Sequence, residues 1–213
     1  RGLIAEKAKE ATGRELTIAG NLELKLSLQP TISVAGVTFA NAAWGSRPAM
    51  VKLERLEAEV ELLPLITGDI QVNRVILVGL DALLETDAKG RGNWEFQAAP
   101  EPKAAAPSEG AATIPVVKKV RIERVRVTYR DGKAGEKIVA VVDSLDLGAD
   151  SLSSPLKLRL AGSYNGAAYQ AAGEVGALSA LAAGEPFPVD LTAEALGATV
   201  AVKGSIARPQ AGK

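Results

Sequence analysis

Residues 12–41, TGRELTIAGNLELKLSLQPTISVAGVTFAN, hold the clearest hydrophobic alternation in the chain. Apolar and polar side chains alternate with a period of two, and only extended backbone turns that period into one dry and one wet face. Gly20, Asn21 and Pro30 interrupt the alternation, which resumes at Ile32. The stretch therefore predicts two or three antiparallel strands rather than a helix.

Similar runs fill most of the chain and are separated by turn-forming residues. Asn165 and Gly166, between two such runs, give the strongest hairpin signal. Trp94 and Phe96 alternate with polar residues, so 93–96 is also expected to be extended. The fold class predicted is mainly β with a few short α-helices, in one or more curved antiparallel sheets that form a groove or a partly closed sandwich. The further strand candidates are 51–62, 70–77, 79–84, 120–129, 138–147, 156–164, 169–175, 189–195 and 199–206.

Three short helices are expected. The first covers 2–11, where small and apolar residues share one side of a 3.6-residue period, and Gly13 ends it. The other two come from a repeated pattern, Leu-x-x-Leu-x-x-Gly, at 62–68 and 178–184. In that pattern one helical turn puts both leucines on the same side and the glycine ends the turn.

Two segments far apart resemble each other, 70–77 (IQVNRVIL) and 120–127 (VRIERVRV). In each, the apolar phase slips by one residue, between Val72 and Val75 in the first and between Ile122 and Val125 in the second. Such a slip requires a β-bulge or a bend, and its repetition predicts a curved sheet. The segments indicate two related lobes, with chance similarity in an Ala- and Val-rich chain as the alternative.

A change of composition divides the chain. Residues 97–113 hold no large apolar side chain and several prolines, which is typical of a flexible linker. The predicted organisation is an N-terminal helix plus β lobe at 1–96, an Ala/Pro linker at 97–113 and a second β lobe at 114–213.

The composition excludes several classes of function. Lys plus Arg equals Asp plus Glu at 25 each, so no surplus charge attracts nucleic acid. The chain has no His and no Cys, which removes the usual zinc ligands, the common general base and every thiol nucleophile. No cofactor and no metal site are expected.

Three charged clusters have a structural and a functional interpretation. The simpler interpretation of each cluster is that its members are solvated residues of strands or turns. The functional alternatives are a glycosidase-type acid pair for the first cluster, a calcium site for the second and a lipid head-group site for the third. The clusters are the acids Glu57, Glu59 and Glu61, the acids Asp143, Asp146 and Asp150, and the bases Lys118, Lys119, Arg121, Arg124, Arg126 and Arg130.

The remaining feature is apolar surface. Three short helices cannot cover about ten strands with one dry face, so the sheet is either a closed sandwich or an open apolar trough. Plain core is the alternative role for every residue of the candidate lining. That lining consists of Leu22, Leu24, Leu26, Leu28, Val60, Leu62, Val125, Val127, Leu158 and Leu160.

Several motifs, in order along nearly the whole chain, resemble the AsmA family. TGRELTIAG at 12–20 and VAGVTFANA at 34–42 resemble its opening strands, and LLPLITGDI at 62–70 is similar to its turn. Gly90, Gly92, Asn93 and Trp94 resemble its G-x-x-N-W element. The second lobe follows with Tyr-Arg-Asp at 129–131, Pro-Leu at 155–156, Leu-Ala-Gly at 160–162 and Leu-x-x-Gly at 181–184.

The resemblance implies a periplasmic protein of the bacterial envelope, tethered to the inner membrane by an N-terminal helix that this sequence lacks. The chain begins at Arg1 with no signal-type segment, and no apolar run approaches the ~20 residues that span a bilayer. Larger relatives are viewed as bridges whose apolar β-groove carries phospholipids. The expected function is therefore phospholipid or other lipid binding and transport without catalysis. The alternative is a structural adaptor, with envelope protein partners, that assists outer-membrane protein assembly through its sheet edges.

Overall fold

The computed structural model describes residues 1–62, 71–96 and 116–207. Within these ranges the chain forms two short helices, α1 (Gly2–Thr12) and α2 (Leu178–Ala183), and eleven strands. The predicted mainly β class is confirmed. The strands are β1 (Leu16–Ile18), β2 (Leu22–Lys25), β3 (Thr31–Ala40), β4 (Ala49–Val60), β5 (Gln71–Glu85), β6 (Val116–Arg130), β7 (Lys137–Gly148), β8 (Pro155–Tyr164), β9 (Ala167–Ala177), β10 (Phe187–Ala195) and β11 (Ala198–Ile206).

All eleven strands belong to one open sheet, in the order β1, β3, β4 and onward to β11, with β2 also paired to β3. β1 and β2 lie end to end along one edge, because β1 pairs with the second half of β3 and β2 with the first half. Gly20 lies at their junction, where a side chain would come within 2.5 Å of the Ala35 carbonyl oxygen. The opening stretch thus gives three strands, as predicted.

The sheet is mixed rather than wholly antiparallel. Every neighbouring pair is antiparallel except β5 and β6, which are parallel from Gln71 beside Val116 to Glu85 beside Arg130. A parallel pair requires a long connection that returns the chain to the starting end of the sheet, and residues 86–115 supply that length. The predicted linker at 97–113 lies outside the described residues. The strands on its two sides share one sheet, and the division into two lobes stays a prediction.

The helices at 2–11 and 178–184 are confirmed. α1 and α2 end at Gly13 and Gly184, which have left-handed φ values of 70° and 66°. α1 has no buried residue and contacts β1, while α2 contacts β9. The helix predicted at 62–68 falls outside the described ranges apart from Leu62.

At both predicted phase slips the structure departs from regular strand geometry. The pairing of β4 with β5 shifts register between Glu59 and Val60, opposite Val72 and Arg74, and leaves Asn73 as the extra residue. In β6 the slip falls at Arg124, whose φ is 52°. The predicted bends are therefore confirmed, although sequence duplication as their cause stays a prediction. The hairpin at Asn165 and Gly166 is confirmed as well, with φ values of 48° and 84°.

Few of the described residues are buried, and part of this core lies at one end of the sheet, within and next to residues 41–48 and 86–96. The expectation that 93–96 is extended is wrong, because Asn93 lies in a turn with none of its surface exposed. The buried residues in the described ranges are Pro30, Asn41, Ala49, Met50, Val72, Val78, Leu83, Glu85, Gly92, Asn93, Val125, Ala149, Leu156, Gly162 and Gly176.

Candidate functional site

Two cross-strand rows of apolar side chains cross the sheet from β2 to β11. Residues paired across neighbouring strands project to the same face, so each row is a continuous path on one surface. Ten strands at about 4.8 Å spacing make each row roughly 43 Å long. The Leu145 row is Leu22, Val34, Leu56, Leu77, Ile122, Leu145, Leu160, Ala171, Ala193 and Val200. The Leu147 row is Leu24, Ile32, Ala58, Val75, Val120, Leu147, Leu158, Gly173, Leu191 and Val202.

The opposite face of the same strands is polar. Successive residues of a strand project to opposite faces, so the rows that alternate with the apolar ones belong to the other surface. The Lys119 row is Lys25, Thr31, Glu59, Arg74, Lys119, Gly148, Lys157, Glu174, Asp190 and Lys203. The Arg121 row is Glu23, Ser33, Glu57, Ile76, Arg121, Asp146, Arg159, Ala172, Thr192 and Ala201.

A line of bends keeps the apolar face continuous beyond the Leu145 row. In each of five adjacent strands, one residue has no partner in the regular cross-strand pairing, and these five residues lie side by side across the sheet. We call them the bend line: Gly36, Glu54, Gly79, Arg124 and Asp143. On each strand the apolar residues flanking the bend are therefore three positions apart, as in Val142 and Leu145. β8 has no bend there, and its regularly alternating Leu160 and Gly162 pair with Leu145 and Val142, which places both flanking rows on one face.

No described helix or strand covers the two apolar rows, whereas at the far end of the face Phe96 packs against Phe39 and Trp94 against Tyr129. The main contacts of each strand are with its sheet neighbours, and the two described helices make much smaller contacts with the edge strand β1 and with β9. At the margins, Leu24 is 60% exposed and Val202 is 52% exposed. The central residues Leu145, Leu147 and Leu158 are half-buried by their neighbours within the sheet. Within the described residues the sheet is therefore open, as the trough requires, and is not a closed sandwich.

The ten residues predicted to line the trough are only partly brought together. Leu22, Leu24, Leu158 and Leu160 belong to the two apolar rows. Val125 and Val127 continue the same face beyond the bend line, where they pair with Val142 and Ala140. Val60 and Leu62 lie at the end of β4 and just past it.

Leu26 and Leu28 depart from that arrangement. They follow the end of β2, outside any strand, and each is 82% exposed. Sequence alternation extended the strand through them, whereas pairing with β3 stops at Lys25. Sequence reasoning also missed most of the two apolar rows, including Val120, Ile122, Leu145 and Leu147, although their period-two alternation was visible.

Members of the acidic cluster at 57–61 and of the basic cluster form ion pairs. Arg74 binds both Glu57 and Glu59, at 3.1 Å each, and Lys118 pairs with Glu61. Arg121 donates to Glu123 at 2.6 Å, and two members of the bend line, Arg124 and Glu54, pair with each other. In the described part of the chain, no group of three or more His, Cys, Asp or Glu residues is arranged to hold a metal ion.

A buried polar cluster, unsuspected from spacing alone, joins the two asparagines of the family motifs. The Asn93 amide donates to Asn41 Oδ1 and to the Leu83 carbonyl, both at 2.9 Å, and its oxygen accepts from the Glu85 amide at 3.0 Å. Glu85 Oε1 accepts from Asn41 Nδ2 and from the Ser46 amide, both at 2.8 Å. The cluster fastens the loops at 41–48 and 86–96 to the end of β5.

The same cluster sets the ionisation of Glu85. Burial raises the pKa of this carboxyl group, but the hydrogen bonds from Ser46 and Asn41, together with the charge of Arg130, outweigh burial and hold the pKa below its ordinary value. Nearby, the Arg14 guanidinium lies 4.8 Å from the centre of the Phe96 ring, and burial lowers its pKa. These contacts stabilise the sheet end next to α1.

Neither described helix has both the length and the apolar character needed to cross a membrane. Comparison with protein families finds a match to the AsmA family over residues 1–206. That family is associated with the bacterial envelope. Comparison with curated proteins finds no match.

Proposed function

The chain belongs to the AsmA family, and on that premise we propose that it binds phospholipid or another lipid on its apolar face as part of envelope lipid transport in the periplasm. The observation that carries the proposal is the pair of uninterrupted apolar rows that cross ten strands with no described element over them. A water-soluble β-protein normally hides such a face beneath helices or a second sheet. An acyl chain laid along the trough would remove the face from water.

Burial alone supplies the binding energy. Each methylene removed from water contributes ~0.8 kcal/mol, so a lipid tail is held without directional contacts and can slide between equivalent apolar rows. The proposed activity requires no catalytic group, and we propose that the protein is not an enzyme. The polar face, with its ion pairs, remains in water.

Adjacent residues of the edge strand β11 provide a matched test. Val202 lies in the Leu147 row and Ala201 lies on the polar face, and both side chains are exposed, so an aspartate at either position leaves the packing unchanged. Native mass spectrometry of protein purified from bacterial cells is expected to show bound phospholipid for the wild type and for Ala201→Asp. We expect at least half of that lipid to be lost in Leu24→Asp/Val202→Asp, because both changes put charge on the apolar face.

Thermal unfolding of each variant distinguishes lipid loss from misfolding. Lipid-free wild-type protein, or equal lipid content in Ala201→Asp and Leu24→Asp/Val202→Asp, would contradict the proposal.

The second candidate is the structural adaptor, and β11 is the observation that favours it. All nine residues of this edge strand are exposed, and its outward edge pairs with no strand of the described chain. A free edge of this kind accepts a strand from another protein. Val202→Pro would block such pairing, and loss of a stable envelope-protein complex with lipid content retained would favour this candidate.

A further inference from the structure

A cleft lies on the polar face, on the side of the sheet opposite the trough. Its volume is about 500 Å³. The charged residues lining it are the cations Arg74, Lys119, Arg121, Lys157 and Arg159 and the acids Asp146 and Asp150. Arg74, Lys119 and Lys157 belong to the Lys119 row, and Arg121, Asp146 and Arg159 to the Arg121 row, so two neighbouring rows on four adjacent strands build the site.

Gly148 forms part of the cleft lining. In the Lys119 row it stands between Lys119 and Lys157, where every other strand of the row carries a side chain. A Cβ at this position would lie 3.3 Å from Lys119 Cγ. Gly148 therefore places no side chain between Lys119 and Lys157, and the Lys119 stem lies close to its backbone.

The cations of the cleft differ in their partners. Arg74 is neutralised by Glu57 and Glu59, and Arg121 by Glu123. The hydrogen bond and the charge of Glu123 raise the pKa of the Arg121 guanidinium, and the charge of Asp146 raises it further. By contrast, Lys119, Lys157 and Arg159 have no ion pair or side-chain hydrogen bond to any residue in 1–62, 71–96 or 116–207.

Three unpaired cations around a concave, glycine-lined space suit a compact oxyanion. We propose that this cleft binds a phosphate group, as a phosphate monoester or diester. An arginine can hold two phosphate oxygens at once and the lysines act as point charges, which is the usual donor set for this ligand. Among the described residues no aromatic side chain lines the cleft, so stacked nucleic acid bases have no platform there.

The phosphate could belong to a lipid head group or be free, and two titrations distinguish these sources. Amide chemical shifts of isotope-labelled protein are followed with inorganic phosphate and with dihexanoylphosphatidic acid below its micelle concentration. In both, we expect saturable shifts at Lys119, Gly148, Lys157 and Arg159. Tighter binding of the phosphatidic acid at these residues identifies a lipid head group, and equal binding identifies free phosphate.

Two variants test the residues. Lys119→Gln/Lys157→Gln removes two cations, and Gly148→Glu places a carboxylate between them, where opposite charges on neighbouring strands support the sheet. Each is expected to weaken binding at least tenfold, because hydrogen bonds to charged groups are among the strongest in proteins. The matched control Lys25→Gln/Lys137→Gln, which removes two exposed strand lysines remote from the cleft, should bind as the wild type does.

Thermal unfolding confirms that each variant is folded, and the double glutamine variant decides the outcome if Gly148→Glu is not. Absence of saturable shifts with both ligands, or equal affinity of Lys119→Gln/Lys157→Gln and Lys25→Gln/Lys137→Gln, would overturn the proposal. Lipid in the trough could persist in either case, so the two proposals fail separately.

Discussion

Asn93 is the residue that holds the loops at 41–48 and 86–96 to the end of β5. It is fully buried, and its side-chain amide donates two hydrogen bonds, to Asn41 and to the Leu83 carbonyl, and accepts one from the backbone of Glu85. From sequence, Trp94 and Phe96 suggested extended backbone. That pattern was misleading because the Asn93 amide satisfies buried backbone groups, a three-dimensional requirement that alternation cannot show. The G-x-x-N-W motif was visible, but not the contact of Asn93 with Asn41.

Asn93→Asp tests that role at constant side-chain shape. At neutral pH the new carboxylate cannot donate a hydrogen bond. Both bonds to Asn41 Oδ1 and to the Leu83 carbonyl are lost, and the carboxylate oxygen is repelled by these two acceptor oxygens. We expect the free energy of unfolding to fall by about 3 kcal/mol, as for a buried charge left without partners. Urea denaturation measures the change.

The matched control is Asn21→Asp. Asn21 is exposed and donates only to Glu23, at 3.2 Å, so we expect a change within about 0.5 kcal/mol. Equal effects at the two positions would contradict the role given to Asn93.

The lowered pKa of Glu85 predicts that the stability of the protein depends on pH. Its pKa in the folded protein lies below the ordinary value of 4.5, so its carboxylate contributes stability above that value and loses it as the pH falls through the folded-state pKa. Glu85→Gln keeps an oxygen for Asn41 and Ser46 but does not titrate. We expect it to lower the free energy of unfolding at pH 7 by about 1–2 kcal/mol.

The difference between wild type and Glu85→Gln should shrink below about pH 4.5. Denaturation at pH 7 and pH 3.5 checks the sign, since Asp87 and Asp131, whose pKa values are also lowered, act equally in both proteins. A difference that grows on acidification would be inconsistent with the assignment.

At the scale of elements, the strands were predictable and their alignment was not. Period-two alternation located the strands of the second half closely, and the slip between Ile122 and Val125 predicted a bend in β6. The coincidence of five bends in one line depends on strand register, which local patterns do not contain. The parallel pairing of β5 with β6 was missed for the same reason.

Gly79 tests the bend line. Its φ is 66°, and an added Cβ would lie 2.2 Å from Glu54 Cδ, so Gly79→Ala both strains the backbone and displaces Glu54 from Arg124. We expect thermal and urea unfolding to report a loss of about 2 kcal/mol.

Gly90→Ala is the matched control, because Gly90 has a φ of 82° with nothing within 4 Å of an added Cβ. Only the backbone term applies there, and the expected loss is about 1 kcal/mol. A cost at Gly79 no greater than that at Gly90 would show that the contact with Glu54 is unimportant.

For the whole molecule, the sequence indicated more apolar strand surface than its helices could cover, and the structure shows that surface as a single face. Leu22, Leu24, Leu158 and Leu160 lie on one face. Leu26 and Leu28 lie outside the paired strand, because their alternation continues past the point where pairing ends. Local pattern thus predicts which side chains alternate, while long-range pairing decides which of them form a continuous trough.

The most direct test compares the two faces in living cells at adjacent positions of β7. Leu145 projects to the apolar face and Ser144 to the polar face, so p-benzoylphenylalanine at either position samples surfaces on opposite sides of one strand. After ultraviolet irradiation and purification, mass spectrometry detects phospholipid attached to the protein. We predict adducts from position 145 and essentially none from position 144. Equal adducts from both positions, or none from position 145 in folded protein, would contradict lipid binding in the trough.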